Sequence, residues 1–273
     1  MSSQLCFRIA VLITLALMSV PAAAGLQAGQ PAGDFLIVQE SGGLSLHKEM
    51  FMFPVTISDE YDGAQTEAVF QISAKHRIFN SRFYFAYTQI SFWQAYDHEH
   101  SAPFRETNYN PEIFYRVKHM PFHSGYVGAD IGFEHESNGQ RVPISRSWNL
   151  LYLSPYFAHG NLLVHLKLRY RIPEDEKDSP DDSVGDDNPD ITDYLGYNDL
   201  NVYFRPFKNH SVHLMVRGNI SKGNGGMSLA YSIPVPKSKR SSISFRFSHG
   251  YGESMVDYKR SLTRFGIGIM FDR

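Results

Sequence analysis

The sequence has 273 residues, of which 42% are hydrophobic and 20% are charged, so most of the chain can form a folded core. Its formal net charge of −2 provides no basic field for nucleic acid, and no nucleic-acid partner is expected. Beyond the N-terminus no apolar run approaches the ~18 residues that a transmembrane helix needs. These features exclude a largely disordered chain and a helical membrane protein.

The N-terminus has the features of a secretory signal. Arg8 is followed by a short apolar segment, and Ala22–Ala24 then provides a cleavage site of small residues. The only cysteine, Cys6, would be removed with this segment, so a mature exported chain would have no disulfides. The predicted parts are a signal peptide at 1–24, an N-terminal segment at 25–44 and one domain at 45–273.

Alternation of apolar and polar residues with a period of two runs through the rest of the chain. Leu166, Leu168 and Tyr170, for example, alternate with Lys167 and Arg169. This pattern is typical of strands with one apolar face, and no helix with capping residues is predicted. Twelve strands are predicted at 48–57, 67–77, 82–94, 111–119, 125–137, 147–157, 161–172, 191–205, 210–218, 226–233, 241–249 and 262–271.

Two architectures accommodate these strands. A soluble β-sandwich would bury the apolar face, whereas an outer-membrane barrel would turn that face to lipid and direct the polar face into its lumen. Lys167, Arg169, Arg217 and Arg246 lie well inside strands on the polar face, and an even strand number suits a closed barrel. We therefore predict an all-β fold, a twelve-stranded antiparallel transmembrane β-barrel of the outer membrane.

One stretch, Glu174–Asp190, is rich in acidic residues together with Pro, Ser and Gly. A solvated surface loop is the simpler interpretation and is preferred. A cation-binding loop is the alternative, and the composition does not separate the two.

Three polar residues fall on the predicted apolar face near the ends of two neighbouring strands. In the strand at 125–137, His135 and Ser137 continue the row that contains Phe133. Asn149 shares the face of Leu151 at the start of the next strand. Because neighbouring antiparallel strands bring such positions together, we expect His135, Ser137 and Asn149 to meet at the rim of the barrel.

These residue types suit nucleophilic catalysis. Ser137 would attack a carbonyl carbon, His135 would take its proton, and the side-chain carbonyl of Asn149 would accept the other imidazole N–H and fix the tautomer. His-x-Ser also arises by chance and Ser-Asn-Gly is an ordinary turn, so the shared outward face is the observation that favours catalysis. No Gly-x-Ser-x-Gly motif occurs to supply another nucleophile of the α/β-hydrolase kind.

Longer motifs support this interpretation. In chain order they are SAPFRETNY at 101–109, GFEHESNG at 132–139, SRSWN at 145–149, DDNPDI at 186–191 and GYGES at 250–254. Together they make the chain resemble outer membrane phospholipase A of Gram-negative bacteria, from about residue 45 to the end.

The resemblance implies a multi-pass barrel in the bacterial outer membrane that hydrolyses acyl ester bonds of phospholipids and lysophospholipids, with A1 and A2 activity. It assigns Ser137 as nucleophile, His135 as base and Asn149 as orienting partner. It also implies an active homodimer that binds Ca²⁺ through the Ser145 side chain, the backbone carbonyl of Gln140 and Ser101 from the other subunit. The calcium-bound water and the Ser137 N–H would form the oxyanion hole.

Two positions depart from the family pattern. Gln140 stands where arginine is common, which a backbone ligand tolerates. Val142 replaces an acid that, together with the one at Asp187, forms a secondary calcium site in the family, so that second site is in doubt here.

Two non-enzymatic alternatives remain, a porin and a structural barrel. A porin would place its functional residues in the lumen, whereas the three candidate residues face outward. A structural barrel would leave them unexplained.

Gln89 is relevant to the pairing of two copies of the chain. It shares the outward face of its strand with Phe83, Phe85 and Tyr87, so its amide would lie among apolar side chains. Pairing with Gln89 of a second copy across a two-fold axis would satisfy it, and a position near water is the alternative.

Overall fold

The computed structural model describes residues 35–38, 42–179, 181–238 and 241–271. The predicted signal peptide and its cleavage site lie outside these ranges. Within them the strands are β1 (Leu44–Ser45), β2 (Met50–Ser58), β3 (Ala68–Arg77), β4 (Phe83–Trp93), β5 (Phe104–Phe122), β6 (Gly125–Ser137), β7 (Ser147–His159), β8 (Leu162–Ile172), β9 (Asn198–Phe204), β10 (Ser211–Asn219), β11 (Asn224–Pro234), β12 (Ser242–Gly250) and β13 (Leu262–Phe271). One α-helix, α1, spans Ile191–Leu195, and short 3₁₀ turns occur at Leu36–Val38, Gly63–Gln65 and His98–His100.

Strands β2 to β13 close into a ring. Each is antiparallel to its neighbours, and β2 is hydrogen-bonded to both β3 and β13, so the first and last strands meet. The two-residue β1 continues the line of β2 along β3. The predicted closed twelve-stranded antiparallel barrel is confirmed.

Two predicted boundaries are wrong. The fourth predicted strand, at 111–119, is part of a strand that spans Phe104–Phe122. Its first half carries Glu106 and Asn108 on the lumen side, where both are buried and hydrogen-bonded. Arg105 and Thr107, on the opposite side of the strand, are polar as well, so hydropathy does not alternate there.

The predicted strand at 191–205 is also wrong in its first part, which forms helix α1, a short helix without a side-chain N-cap. Ile191 and Leu195 are one helical turn apart and pack against Trp148 and Tyr258. A helix of five residues is too short for its periodicity to be detected.

The outward face of the wall is apolar. Side chains on this face in different strands are about half exposed, among them Ile72 (46%), Ile131 (52%), Leu153 (43%) and Ile267 (45%). Such a surface suits contact with lipid tails. No helix among the described residues is long and apolar enough to cross a membrane.

The lumen is polar and lined by ion pairs. Lys167 Nζ lies 2.5 Å from Glu134 and 3.1 Å from Glu112, and Arg169 pairs with Glu134 and with Asp199. A cavity of about 260 Å³ remains between such side chains. Charges buried from water are stabilised only when paired, which explains why cations and acids alternate around this interior.

The two ends of the lumen are filled differently. At the end away from Ser137, the 35–38 segment packs on Tyr156, and the Ile37 carbonyl accepts a hydrogen bond from Arg116 at 2.7 Å. At the end near Ser137, an apolar cluster supports the loops. Its members are Trp148, Leu150, Ile191, Leu195, Met255 and Tyr258.

Candidate active site

His135 and Asn149 are directly opposite each other on β6 and β7. The distance from His135 Nδ1 to Asn149 Oδ1 is 2.9 Å. An amide oxygen carries no hydrogen, so Nδ1–H must be the donor. In the neutral imidazole this leaves Nε2 as an acceptor, which is the tautomer that a general base for a hydroxyl requires.

The side chains of His135 and Asn149 point away from the lumen. Their predecessors in sequence, Glu134 and Trp148, are buried on the lumen side, while His135, Ser137 and Asn149 are only half-buried. The outward placement expected from the alternation is therefore present at the end of the barrel wall.

A side-chain contact from β5 holds the end of β6. Pro111 lies opposite His135 in the β5–β6 register and has no N–H to donate. The Asn110 side chain instead donates to the His135 carbonyl at 3.0 Å. The strand thus remains attached to its neighbour at the residue that carries the imidazole.

Ser137 is the last residue of β6 and is two residues beyond His135 on the same face. Among the described residues its hydroxyl has no hydrogen-bond partner, so the structure does not join it to His135. The next residues turn sharply, since Gly139 has a φ of +63° and a Cβ there would lie 3.0 Å from the Tyr109 ring. Glycine is required at this turn by both its conformation and its space.

The loop after Ser137 is folded around one buried side chain. Asn138 accepts hydrogen bonds from the backbone N–H of Gln140 (3.2 Å) and of Arg146 (2.9 Å), and donates to the Ile144 carbonyl (2.8 Å). This closed loop carries Gln140 and Ser145, two of the predicted calcium ligands.

Ser145 is hydrogen-bonded to the acidic loop. Its hydroxyl donates to Asp187 Oδ2 at 2.5 Å, and Lys177 Nζ lies 2.5 Å from the other carboxylate oxygen. Val142, which departs from the family pattern, supplies no oxygen side chain here. The Asp187 carboxylate is therefore neutralised by a lysine of this chain.

The neighbouring residues of this loop attach it to the barrel. Asn188 accepts the backbone N–H of Ser147 at 2.9 Å, and Asp186 pairs with Arg171 at 2.6 Å. Each contact joins the loop to β7 or β8 close to the candidate site. The acidic stretch thus packs on the rim in this part rather than extending freely into solvent.

Asp190 attaches the end of the loop to another one. It accepts a hydrogen bond from the Tyr258 hydroxyl at 2.5 Å and pairs with Lys259 at 2.8 Å. Burial acts to raise the pKa of Asp190, but these hydrogen bonds outweigh it and hold the pKa below its usual value.

One contact of the candidate site was not predicted from the sequence. The Asn149 amide nitrogen donates to Glu174 Oε1 at 3.0 Å. Ile172 is opposite Asn149 in the β7–β8 register, and Glu174 follows it by two residues, hence on the same face. This two-residue spacing was the sequence signal for the contact, but the acidic composition of the loop suggested a solvated segment instead.

The predicted calcium ligands are only partly assembled in one chain. Ser101 is exposed in the loop between β4 and β5, and no hydrogen bond joins it to Gln140 or Ser145 within the described chain. Among those residues no group of three His, Cys, Asp or Glu side chains could hold a metal. The hydroxyl, carbonyl and carboxylate oxygens around Ser145 are nevertheless the hard donors that Ca²⁺ prefers.

Gln89 lies on the outward face of β4, where its amide has local partners. Its Oε1 accepts from the Tyr87 hydroxyl at 2.8 Å, and its Nε2 donates to Ser91 at 3.2 Å. One N–H and one acceptor position remain for a further partner.

Comparison with known proteins agrees with this architecture. The sequence model of the family described as Phospholipase A1 matches residues 44–271. The chain belongs to the phospholipase A1 family. Phospholipase A1 of Escherichia coli strain K12 is 38% identical over 191 residues, which are 68% of this chain. This family member spans 61% of the length of that enzyme and 55% of a Neisseria meningitidis relative.

Solved structures of the same family superpose closely. Outer membrane phospholipase A from Escherichia coli has a TM-score of 0.75 at 31% identity, covering 88% of this chain and 97% of that one. The calcium-bound dimer of the Salmonella typhi outer membrane phospholipase also has a TM-score of 0.75, at 30% identity, covering 89% and 98%. The barrel fold is therefore shared with outer membrane phospholipases.

Proposed function

We propose that this chain is a calcium-dependent phospholipase of the bacterial outer membrane that hydrolyses acyl ester bonds of phospholipids and lysophospholipids, with A1 and A2 activity. The observation that carries the proposal is the outward-facing His135–Asn149 hydrogen bond beside Ser137, at the rim of a phospholipase A1 family barrel. A lipid in the outer leaflet would meet these side chains directly.

Acylation begins at Ser137. Its Oγ attacks the ester carbonyl carbon while its proton passes to His135 Nε2, and the carbonyl electron pair moves onto oxygen to form the tetrahedral intermediate. The Nδ1–H bond to Asn149 holds the ring in the required tautomer. Because an amide is neutral, it stabilises the imidazolium less than a carboxylate would.

Collapse of the intermediate breaks the bond to the alcohol oxygen. The leaving lysophospholipid alkoxide takes the proton from His135, which returns to its neutral form. Water then attacks the acyl-Ser137 ester with His135 as base, and fatty acid is released. The same three side chains serve both halves of the cycle.

Calcium would be held by the Ser145 side chain and the Gln140 carbonyl, and by Ser101 of a second copy, the oxygen donors expected from the family resemblance. When bound, it would supply positive charge near the developing oxyanion, a large contribution in acyl transfer. The contact of Ser145 with Asp187 keeps a further oxygen donor at the same place.

Assembly and location follow from the same proposal. We propose a homodimer, as in the calcium-bound Salmonella typhi structure, with Ser101 brought to Ser145 from the other copy. The apolar outer wall suits the outer membrane, and residues 1–24 would direct export.

The porin alternative has little support in the described residues. Ion pairs such as Lys167–Glu134 line the lumen, and the 35–38 segment fills one end of it. A conducting pore requires a continuous aqueous path, which these contacts obstruct.

The test is fatty-acid release from detergent-dispersed phosphatidylcholine by the purified protein, with calcium and with a chelator. Ser137→Ala, purified in the same way, is the control for contaminating lipase. We expect release by the wild-type protein with calcium only, and none by Ser137→Ala in either condition. Equal release by both proteins would contradict the proposal.

A further inference from the structure

Glu174 extends the hydrogen-bonded row of the candidate site by one residue. His135 is opposite Asn149, Asn149 is opposite Ile172, and Glu174 follows two residues after Ile172, where β8 ends. The carboxylate accepts the Asn149 amide N–H at 3.0 Å. The row therefore runs across three strands and ends on an acid.

This acid has no structural partner of its own in the described chain. No Lys or Arg side chain there pairs with Glu174, while the nearby Arg171 pairs with Asp186 and Lys177 with Asp187. Glu174 is half-buried, and its recorded side-chain contact is the one with Asn149. Its side chain therefore contacts the candidate site and does not anchor the loop.

The chemistry of an amide explains what such a contact does. The two ends of Asn149 differ only in that oxygen accepts and nitrogen donates, and rotation by 180° exchanges them. A carboxylate accepts, so it selects the orientation with nitrogen toward Glu174. That orientation presents oxygen to His135 Nδ1–H.

The opposite orientation would disable the base. With the amide nitrogen facing the ring, Nδ1 would have to accept, and the proton of the neutral imidazole would lie on Nε2. Nε2 could then no longer take the Ser137 proton. Only the fraction of molecules with the amide correctly oriented would turn over.

We propose that Glu174 is a positioning residue for ester hydrolysis, which fixes the orientation of the Asn149 amide and through it the tautomer of His135. For the expected changes in kcat, the inference rests on the proposed function. The expected tautomer of His135 does not depend on it. It gives a role to the first acid of a loop that composition alone describes as solvated.

Three substitutions of Glu174 separate its effect on the orientation of the Asn149 amide from its other effects. Glu174→Gln keeps an acceptor and should retain kcat within about twofold. Glu174→Ala removes the acceptor and should lower kcat by about three- to tenfold. Glu174→Lys presents a donor, reverses the amide and should approach the loss expected for Asn149→Ala, with KM unchanged in all three.

The matched control is Glu176→Lys, which makes the same charge change at an exposed neighbour. It should retain wild-type kcat. In an Asn149→Ala background, Glu174→Lys should have less than a twofold further effect, because its action passes through the amide. An equal loss in both backgrounds, or an equal loss in Glu176→Lys, would overturn the proposal.

The tautomer gives a readout that does not depend on hydrolysis. ¹⁵N chemical shifts of labelled histidine in detergent, with His135 assigned by comparison with His135→Gln, distinguish a proton on Nδ1 from one on Nε2. We expect Nδ1–H in the wild-type protein and Nε2–H in Glu174→Lys. The same tautomer in both would contradict the inference, whereas inactive wild-type protein would instead contradict the proposed function.

Discussion

The two faces of β6 place polar side chains in opposite situations. Glu134 points into the lumen, where its carboxylate contacts Lys167 and Arg169. His135, the next residue, points outward and is hydrogen-bonded to Asn149 through one nitrogen. In the lumen the charge of Glu134 is matched by cations of the protein, whereas on the rim donor and acceptor positions stay open.

This difference separates structural polar residues from candidate functional ones. A buried charge without partners destabilises the fold, so lumen residues are selected to satisfy one another. A group that must bind substrate or move a proton has to keep a position free. Substitutions on the rim should therefore change activity, and those in the lumen should change stability.

Ser137→Ala should give the largest effect on activity. Without the Oγ nucleophile, we expect hydrolysis to fall by at least ~10³-fold, while the barrel stays folded and heat-modifiable. Fatty-acid release and heat-dependent mobility on gels measure the two properties. A variant that hydrolyses ester like the wild-type protein would remove the assigned mechanism.

Asp199→Ala tests whether lumen residues contribute to stability rather than to activity. Its carboxylate pairs with Arg169 and Arg217, so its removal leaves buried cations less compensated and should cost about 3–5 kcal/mol of stability. Asp193→Ala, at a half-exposed pair with Lys222, is the control and should change little. Denaturant unfolding measures stability, and the turnover of the folded protein should match wild type. If folded Asp199→Ala lost turnover, the distinction between lumen residues that stabilise the fold and rim residues that carry activity would fail.

Asn149→Ala should weaken hydrolysis less than Ser137→Ala does, by about 10–10²-fold. It removes the group that orients His135 but leaves nucleophile and base in place. Initial rates under saturating lipid measure the effect on kcat. If the folded variant were as inactive as Ser137→Ala, Asn149 would need a more direct role than orientation.

Gln89→Ala should give the smallest effect. Because Tyr87 and Ser91 already satisfy part of the amide, a pair across a dimer axis adds only ~0.6 kcal/mol, or about threefold in the calcium concentration required. Crosslinking and calcium titration in detergent measure the change, with Leu229→Ala on another part of the wall as control. An unchanged dimer fraction and calcium dependence would show that Gln89 is satisfied within its own chain.

Period-two alternation was enough to predict the strands and the outward face of His135 and Asn149, because both follow from strand geometry. The cations inside the strands and the even strand number then favoured a barrel over a sandwich. Alternation could not show the first half of β5, where Arg105 and Thr107 on one face and Glu106 and Asn108 on the other are all polar. Nor could it show α1, whose five residues are fewer than two helical turns.

The acidic loop was the least predictable part of the site. Its composition suggests solvation, yet Glu174 and Asp187 bond to Asn149 and Ser145. Such contacts depend on how a long connection folds back over the rim, and local pattern carries no information on that. The motif residues from Asp186 onward and the spacing of Glu174 from the end of β8 were the sequence indications that this loop packs.

The most direct test of the account is to locate the nucleophile from the lipid side. The protein in phospholipid vesicles would be treated with an alkyl fluorophosphonate, which a reactive serine Oγ attacks with loss of fluoride, and the modified peptide would be identified by mass spectrometry. We predict one modified residue, Ser137, with modification lost in Ser137→Ala and strongly reduced in Asn149→Ala. Modification at another serine, or none in a protein that still hydrolyses phospholipid, would contradict the account.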